Sequence, residues 1–247
     1  MIDACKHRTA RLNGLKAVVV IASTVFALSA SAQDSENDPW EGFNRSVFSF
    51  NEGADRIIAK PLAKGYRAIT PDPVERSISR VFSNLAEVRN VLNKLLQGKP
   101  GQAANNGGRF LVNSTIGLLG IFDVADKMGL SKTDSEDFGQ TLAHWGLAPG
   151  PYVMLPFMGP STLRGAVGLP VDSLADPVTH IDDVPTRNSV LFMGLIDLRA
   201  SLLDTEGLIS GDKYIFIREA YLQRRDYLIN DGMIEEDSFD DFEDEDY

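Results

Sequence analysis

The side chains of this sequence that are able to carry out chemistry are few and widely spaced. His144, beside Trp145, has the side-chain type of a general base. Acidic residues, a type used in glycoside hydrolysis and in calcium sites, form two groups: Asp134 with Glu136 and Asp137, and Asp182 with Asp183. Neither group has the spacing of a calcium-binding loop. We therefore interpret both groups as solvated turns and the histidine as a hydrogen-bonded structural residue.

Nucleophile, phosphate and metal motifs are missing from the sequence. It contains no G-x-S-x-G, no G-x-G-x-x-G, no P-loop and no H-E-x-x-H pattern. Its single cysteine is Cys5, and outside the first 32 residues the histidines are His144 and His180. Two histidines without zinc spacing do not indicate a metal site. The sequence therefore predicts a protein that is not an enzyme and that binds no metal or cofactor.

The charge balance excludes one class of partner. The chain of 247 residues has 24 Lys and Arg against 35 Asp and Glu, a net charge of -11. Nucleic-acid binding depends on clustered cations that neutralise phosphates, so no nucleic-acid partner is expected. Residues 235–247 hold nine acidic and no basic residues. Such a run of like charges predicts an acidic disordered tail.

The N-terminus has the pattern of an export signal. Basic residues precede an apolar run of 12 residues at 17–28, and Ala30-Ser31-Ala32 then supplies an A-x-A cleavage pattern. This run is too short to cross a bilayer. We therefore predict a cleaved signal peptide over residues 1–32, which removes Cys5, and a helical domain without thiols over residues 33–234.

Apolar residues recur at helical spacing through most of the domain. Asp38, Pro39 and Glu41 are typical of a capped helix start, and Pro61 is expected to end that helix. Residues 139–170, rich in glycine and proline, are predicted to form loops. Further helices are predicted over residues 74–96, 102–113, 188–203 and 214–230. Strand signals are few, so the predicted fold class is all-α.

The apolar stripes of these helices allow two interpretations. The longest stripe comprises Val74, Ile78, Val81, Phe82, Leu85, Val88, Leu92, Leu95 and Leu96. Periodicity by itself favours a soluble bundle with the stripes in its core, because such stripes pack against protein more often than against lipid. Contact with a membrane is the alternative.

Two segments combine turn-forming residues with large apolar side chains. One is residues 150–157, Gly-Pro-Tyr-Val-Met-Leu-Pro-Phe, and the other lies between Gly117 and Gly129. Turns are normally polar, so we expect both segments to be buried in protein or in lipid. The glycines of the second segment predict a flexible apolar hairpin.

Several runs, in the same order along the chain, resemble motifs of the MlaA/VacJ family. The run Asp38-Pro39-Trp40-Glu41-Gly42-Phe43-Asn44-Arg45 resembles the opening motif of that family. Residues 109–117, 122–125, 137–142 and 150–159 resemble its central motifs, and residues 218–225 resemble its closing helix. The resemblance extends over about residues 38–230, most of the predicted domain.

The resemblance implies a fold and a function. Members of the family are ring-like bundles of amphipathic helices with a central channel, monotopic in the periplasmic leaflet of the Gram-negative outer membrane. They remove mislocalised phospholipids from the outer leaflet and pass them to a soluble periplasmic carrier of the MlaC type. They associate with trimeric porins and are not enzymes. For this chain the resemblance implies intermembrane phospholipid transport that maintains outer-membrane lipid asymmetry.

The resemblance also implies site residues. Residues 117–129 resemble a mobile hairpin beside the channel. Gating hinges are expected at Gly117, Gly120 and Gly129. Contacts with lipid tails or with the bilayer are expected at Leu118, Leu119, Ile121 and Phe122. Arg109 is expected to bind a headgroup phosphate, with a structural ion pair to a carboxylate as the alternative.

The N-terminal region departs from the family pattern. Members are often lipoproteins with a cysteine directly after the signal, whereas Gln33 follows the A-x-A pattern here. We therefore expect no acylation, and membrane attachment that depends on apolar faces and on a porin. The alternatives are a structural porin-associated adaptor that conducts no lipid, a soluble periplasmic binding module, and a lipid hydrolase that uses His144.

Overall fold

The computed structural model of the protein describes residues 38–209 and 211–232, which are mostly helical. The signal peptide predicted over residues 1–32 and the tail predicted over residues 235–247 lie outside the described residues. In chain order the elements are α1 (Glu41–Ala54), a π-helical turn (Asp55–Ala59), α2 (Lys60–Ile69), α3 (Asp72–Leu96), α4 (Pro100–Thr115), α5 (Val124–Lys127), α6 (Phe138–His144), β1 (Tyr152–Leu155), β2 (Gly159–Thr162), α7 (Leu163–Ala175), a 3-10 helix (Pro177–His180), α8 (Val184–Ser201), a second 3-10 helix (Glu206–Leu208) and α9 (Lys213–Ile229).

The start of α1 differs from the prediction. The helix begins at Glu41 without a side-chain cap, and Asp38 is fully buried instead of capping. The Asp38 carboxylate accepts hydrogen bonds from Asn44 Nδ2 at 2.7 Å and from the Tyr214 hydroxyl. It also lies 3.3 Å from Arg218 Nη1. The acidic residue therefore joins α1 to α9, a long-range contact that local spacing does not reveal.

The prediction that Pro61 ends the first helix is wrong. Helical structure continues through the π-helical turn Asp55–Ala59 into α2, which ends at Ile69. Proline has no N–H to donate, and a wider π turn directly before it changes the hydrogen-bond pattern at the place where the missing donor would be needed. The proline therefore marks a change of helix type.

The other long helices agree with the sequence within a few residues. α3 ends at Leu96 and is followed by Gly98 with a φ of 71°, a conformation that suits glycine and ends a helix. Pro100 then occupies the first position of α4, where its missing N–H costs nothing. α8 and α9 also lie where the apolar periodicity predicts helices.

Residues 139–170 are not a loop region, so that prediction is wrong. They contain most of α6, the β1–β2 hairpin and the first half of α7. The hairpin is antiparallel, with Tyr152 opposite Thr162 and Leu155 opposite Gly159. Pro170 is tolerated inside α7. The all-α prediction holds apart from this one pair of short strands among the described residues.

Two small apolar clusters hold the described helices together. One, between α2 and α8, contains Ala63, Tyr66 and Ala200. The other, which we call the hairpin core, contains Tyr152, Met154 and Tyr214, with Val47, Phe48, Tyr221 and Leu222 packed around it. The hairpin core joins β1 to α1 and α9, so it ties the two ends of the described chain to its middle.

Elsewhere the usual distribution of polar and apolar residues is reversed. The buried residues within α3 are Asn84, Glu87, Asn90, Asn93 and Lys94. Members of its apolar stripe, such as Val74, Leu92 and Leu95, are exposed. The interpretation of this stripe as a core is therefore wrong for its two ends, whereas Ile78 in its middle packs against the cluster between α2 and α8. None of the helices in the described part of the chain is long and apolar enough to cross a membrane.

Candidate functional site

A set of polar side chains fills the space between α3 and α4. We call it the interior polar cluster, and its members are Glu87, Asn90, Asn93, Lys94, Gln97, Asn106 and Arg109. On α3 these residues recur at spacings of three and four, so they form one helical face. Each is at least nine-tenths buried, which is unusual for amide and charged side chains.

Glu87 accepts most of the hydrogen bonds in this cluster. Its Oε2 atom accepts from Asn106 Nδ2 at 2.6 Å and from Asn90 Nδ2 at 3.1 Å. Its Oε1 atom lies 3.5 Å from Arg109 Nε. A buried carboxylate is tolerated only when its oxygens are paired in this way. The cluster is therefore a mutually dependent network.

Lys94 is the most deeply buried cation of the cluster, with 1 % of its surface exposed. Its Nζ atom donates to Thr133 Oγ1 at 2.5 Å and to Asn106 Oδ1 at 3.3 Å. Burial lowers the pKa of Lys94, and the negative charges of Glu136 and Glu87 oppose this effect only in part. The pKa shift follows from removing an ammonium group from water.

Arg109, the predicted headgroup ligand, is engaged with protein groups. Its Nη2 atom donates to both carboxylate oxygens of Asp123, at 2.9 and 3.1 Å, and its Nη1 atom donates to the Leu130 carbonyl at 2.5 Å. Burial raises the pKa of Asp123, but hydrogen bonds from Asn113 and Arg109 outweigh it and lower the pKa below its usual value. This geometry corresponds to the structural alternative stated for Arg109.

Residues 116–122, which we call the apolar loop, connect α4 to α5. Leu118 and Leu119 have positive φ angles of 52° and 60°. This left-handed conformation is unfavourable for a leucine. Gly120 follows with a φ of 100°. Three consecutive residues are thus held in a conformation that only glycine adopts easily, which identifies a strained turn.

The base of the apolar loop is fixed by polar contacts. The Asn113 carbonyl accepts from the Gly120 N–H at 2.8 Å, and Asn84 Nδ2 donates to Ser114 Oγ at 2.9 Å. A Cβ atom on Gly120 would lie 2.7 Å from the Asn84 Cβ, and one on Gly117 would lie 2.3 Å from the Phe122 carbonyl oxygen. These two glycines permit close packing, whereas Gly129, with a φ of 83°, has open space around it.

The side chains of the apolar loop project into solvent. Leu119 is 69 % exposed and Leu118 is 58 % exposed, and Ile121 and Phe122 are exposed as well. The structure thus brings these four predicted contact residues together on one turn, next to the partly buried ion pair of Arg109 and Asp123. The geometry combines a hydrogen-bonded polar base with an uncovered apolar tip.

Exposed apolar side chains are not confined to this loop. They occur on each of the long helices, at positions that include Ile57, Ile58, Ile69, Leu92, Leu95, Leu111, Leu174, Phe192, Leu195, Leu198 and Phe216. Ile69 reaches 83 % exposure and Ile57 reaches 75 %. A surface with this much uncovered apolar area is a contact surface for another protein or for lipid.

His144 and Asp183, two of the residues considered first for chemistry, lie at exposed helix ends. His144 is exposed at the end of α6. Asp183 caps α8 by accepting from the Thr186 N–H at 2.9 Å, and it lies in an exposed turn as predicted. Among residues 38–209 and 211–232, no three His, Cys, Asp or Glu side chains come together in a way that would hold a metal ion.

In the other acidic group Asp134 is exposed as predicted, but the interpretation as a solvated turn is wrong for Glu136 and Asp137. Glu136 is buried and accepts from Gln97 Nε2 at 2.9 Å. Asp137 binds the guanidinium of Arg225 on α9 and caps α6 through the Gln140 N–H. Burial raises the pKa of Asp137, but the hydrogen bond and the charge of Arg225 outweigh it, so the net pKa is lowered. This pair attaches α9 to the interior.

Sequence reasoning missed Glu87, Lys94 and Asn106. A signal was present, because the face of α3 opposite the apolar stripe is rich in asparagine, whereas solvent-facing helix surfaces usually carry Lys and Glu. Thr133, a partner of Lys94, lies 39 positions away along the chain, and Asn106 lies 19 positions from Glu87. No local pattern connects residues at these separations.

Polar side chains inside and apolar side chains outside define a class of helical protein adapted to an apolar surrounding. A sequence model of the MlaA lipoprotein family matches residues 36–228. The chain belongs to the MlaA lipoprotein family.

Relatives and a solved structure agree with this assignment. Two proteins named intermembrane phospholipid transport system lipoprotein MlaA, from Shigella flexneri and Escherichia coli K12, are 39% and 38% identical over 213 residues, which is 84% of each chain. The protein of that name from Haemophilus influenzae is 30% identical over 90% of this chain and 93% of its own. A solved chain, from work on the structural basis for maintenance of bacterial outer membrane lipid asymmetry, has a TM-score of 0.70 and 38% identity. That match covers 79% of this chain and 100% of the solved one.

Proposed function

We propose that this protein moves phospholipids between membranes and so maintains the lipid asymmetry of the outer membrane. The observation that carries the proposal is the reversed distribution of residues, with Glu87, Lys94 and Asn106 buried and both ends of the apolar stripe of α3 exposed. Relatives named as intermembrane phospholipid transport lipoproteins support the same function.

A protein route for lipid is needed because free transfer is costly. The two tails of a phospholipid contain roughly 30 methylenes, and exposing them to water at about 0.8 kcal/mol each costs on the order of 20 kcal/mol. A channel must keep the tails covered and give the headgroup a polar path. In our proposal the exposed apolar faces lie in the periplasmic leaflet of the outer membrane, in a monotopic arrangement, and the interior polar cluster borders a central channel.

The apolar loop is the proposed gate of this channel. Leu118, Leu119, Ile121 and Phe122 contact lipid tails or the bilayer. Gly117 and Gly120 within the loop, and Gly129 beyond α5, act as hinges. Arg109 holds the base of the loop through Asp123, and its contact with a headgroup phosphate stays a prediction. The Cβ position of Gly120 lies 3.2 Å from the Arg80 carbonyl oxygen, so α3 passes directly beside the loop.

A cross-link between α3 and the apolar loop tests the gate. Outside the predicted signal peptide the chain lacks cysteine, so Arg80→Cys with Leu119→Cys gives two unique thiols at exposed positions. Joining them with a short bifunctional thiol reagent should stop lipid transfer, and the two single variants treated in the same way should keep it. Unchanged transfer through the cross-linked protein would refute the gate.

Deletion in the native bacterium tests the function itself. Loss of the protein should raise the phospholipid content of the outer leaflet, and the wild-type chain should restore it. The purified mature chain should also float with phospholipid vesicles. We further propose a soluble periplasmic carrier of the MlaC type and a trimeric porin as partners. Binding to the porin without any change in outer-leaflet phospholipid would support the alternative, a structural adaptor that conducts no lipid.

The prediction that the chain is not an enzyme has its own test. A lipid hydrolase that uses His144 would release free fatty acid from vesicles and would lose this activity on His144→Ala. We expect no fatty acid release from either protein. Release that depends on His144 would replace transport with hydrolysis as the function.

A further inference from the structure

A cavity of about 70 Å³ lies between α3 and the 3-10 helix Pro177–His180, apart from the interior polar cluster and the apolar loop. Its lining residues are Phe82, Leu85, Ala86, Arg89, Asp176 and Val178. The four from α3 recur at spacings of three and four and so form one face of that helix. Apolar walls with one cation and one anion are an unusual composition for a packing defect.

Arg89 forms no direct ion pair among the described residues, although its charge opposes the rise that burial causes in the pKa of Asp172. Its Nε atom is buried without a hydrogen bond, and no carboxylate of the described chain lies within ion-pairing distance of its guanidinium. Arg109 and Arg225 also have an Nε atom without a hydrogen bond, but through their Nη atoms Arg109 pairs with Asp123 and Arg225 pairs with Asp137. A buried donor that is left unpaired costs stability, so this side chain is complementary to an anionic group in the cavity.

Asp176 supplies the opposite charge on the same cavity wall. One of its oxygens, Oδ1, accepts from the Val178 N–H at 2.9 Å and caps the 3-10 helix. The other oxygen accepts no hydrogen bond from a described residue. A cation and an anion thus face one cavity without forming an ion pair with each other, which leaves both charges available to a ligand that has two opposite charges.

We propose that this cavity is a headgroup site for a zwitterionic phospholipid of the phosphatidylethanolamine type, with Arg89 bound to the phosphate and Asp176 bound to the ammonium group. This inference rests on the proposed function. The planar guanidinium matches two phosphate oxygens at once. An anionic headgroup without the ammonium group would be repelled by Asp176, so the site discriminates between headgroups.

The size and surroundings of the cavity suit a headgroup better than a whole lipid. The cavity of about 70 Å³ is partly open to solvent, so a headgroup can extend from the cavity into its mouth. The polar end of the lipid therefore enters the cavity, and the acyl chains stay outside it. Leu174, two residues before Asp176, is 72 % exposed. The tails of a bound lipid therefore have apolar surface beside the cavity mouth.

Binding of short-chain lipids to the purified full chain tests the site. We expect titration calorimetry to show monomeric dihexanoyl phosphatidylethanolamine binding roughly tenfold more tightly than the matching phosphatidylglycerol. Arg89→Gln should weaken both lipids roughly tenfold or more, since a charge-assisted contact to phosphate is lost. Arg89→Lys keeps the charge and should weaken them by roughly threefold.

Asp176→Asn separates the charge of this residue from its role as a cap. Asparagine caps helices about as well as aspartate, so the 3-10 helix is retained. The variant should lose affinity for phosphatidylethanolamine while its affinity for phosphatidylglycerol stays equal or rises. A purely structural role would lower both affinities together, and that result would overturn the proposal.

Controls distinguish this site from a general effect of charge and from a site for a soluble phosphate ester. Arg80→Gln removes an exposed cation from the same helix and should leave both affinities unchanged. Free phosphoethanolamine and inorganic phosphate should bind much more weakly than the lipids. Equal affinity for free phosphoethanolamine and the lipid would overturn the lipid assignment.

The remaining outcomes separate this site from the proposed function. If Arg89→Gln does not fold, Arg89→Lys and Asp176→Asn decide the question. Arg89→Lys preserves the charge, and Asp176→Asn preserves the shape of the side chain. If the wild type binds neither lipid and carries none from vesicles, the transport proposal and the site both fail. If it transfers both lipids equally and Arg89→Lys and Asp176→Asn change nothing, transport stands and the headgroup site is refuted.

Discussion

The hairpin core and the interior polar cluster are both shielded from solvent, but they contain opposite kinds of side chain. In the hairpin core, Tyr152 and Met154 pack against Tyr214, with ring centroids of the two tyrosines 6.2 Å apart. In the interior polar cluster, Glu87 and Lys94 are buried to a similar degree but are surrounded by amide groups. The first region is a conventional protein core, and the second resembles a solvated surface turned inward.

The two regions depend on different forces. The stability from apolar packing falls in steps, because each methylene that is removed lowers the free energy of unfolding by a similar amount, plus the cost of the cavity that is left. A buried polar network is cooperative, because removal of one partner leaves others unsatisfied in a medium of low dielectric constant. A protein that contacts lipid on its outside has little need for an apolar interior. Polar groups can therefore be buried in that interior when each has a hydrogen-bond partner. The following variants test this contrast.

Glu87→Ala should have the largest effect on stability. It removes the acceptor of Asn106 and Asn90 and a counter-charge of Arg109. Breaking a buried charged network costs about 3–5 kcal/mol. Thermal and denaturant unfolding, followed by circular dichroism of the detergent-solubilised chain, measures the loss. Glu87→Gln keeps one acceptor oxygen and should cost less. A loss below about 1 kcal/mol for Glu87→Ala would show that the network relaxes without it.

Met154→Ala in the hairpin core should cost about 3 kcal/mol, because it leaves a cavity among tyrosine rings. Met154→Leu keeps the volume and should cost less than about 1.5 kcal/mol. The same unfolding measurement applies. Equal losses for the two variants would mean that this region is not packed as a conventional core, and the contrast with the polar cluster would disappear.

The sequence predicted the long helices α3, α4, α8 and α9 but not which helix face lies inside. Periodicity identifies the Leu92 side and the Glu87 side of α3 as different surfaces, but it does not specify whether water, protein or lipid covers each one. The surrounding medium decides this, and it is not encoded in spacing. The family resemblance, which brought a membrane into consideration, supplied the information that periodicity lacked.

Contacts between residues far apart in the chain account for the other differences between the sequence predictions and the structure. Asp38 has the local pattern of a cap but is recruited by Tyr214, 176 positions away. Arg109 is a candidate site residue from the sequence, but its pairing with Asp123 and Glu87 depends on how α3, α4 and α5 meet. Arg89 attracts attention only in the folded chain, because a missing partner is visible only when the neighbours are known.

Leu119→Gly should stabilise the protein by about 1 kcal/mol while weakening its membrane contact. Leu119 has a φ of 60°, and glycine adopts this conformation without the steric cost of about 1–2 kcal/mol that a leucine carries. Flotation with vesicles should fall because an exposed apolar side chain is lost. Leu111→Ala, at an exposed helical position on α4, should weaken flotation without the gain in stability. A destabilised Leu119→Gly protein would argue against strain in the apolar loop.

The smallest expected effect is a dependence of stability on alkaline pH that comes from Lys94. Burial lowers the pKa of Lys94 from its ordinary value of 10.5. Between the lowered pKa and 10.5 the unfolded chain binds more protons than the folded chain, so the free energy of unfolding rises with pH in this window. Below the lowered pKa, the cost of burying the charged ammonium is fully present.

Comparing wild type with Lys94→Met isolates the contribution of Lys94 to the pH dependence of stability. Other groups that titrate at high pH affect the stability of both proteins equally. Burial and the nearby charge of Asp197 raise the pKa of Tyr66 to about 12, which gives a loss of stability above pH 10 in both. We expect the wild type to gain stability relative to Lys94→Met as the pH rises from 7 to 10. Lys127→Met, at an exposed position, should run parallel to the wild type. If Lys94→Met also runs parallel, then the ammonium group is solvated, and the interior polar cluster is open to water where the hairpin core is not.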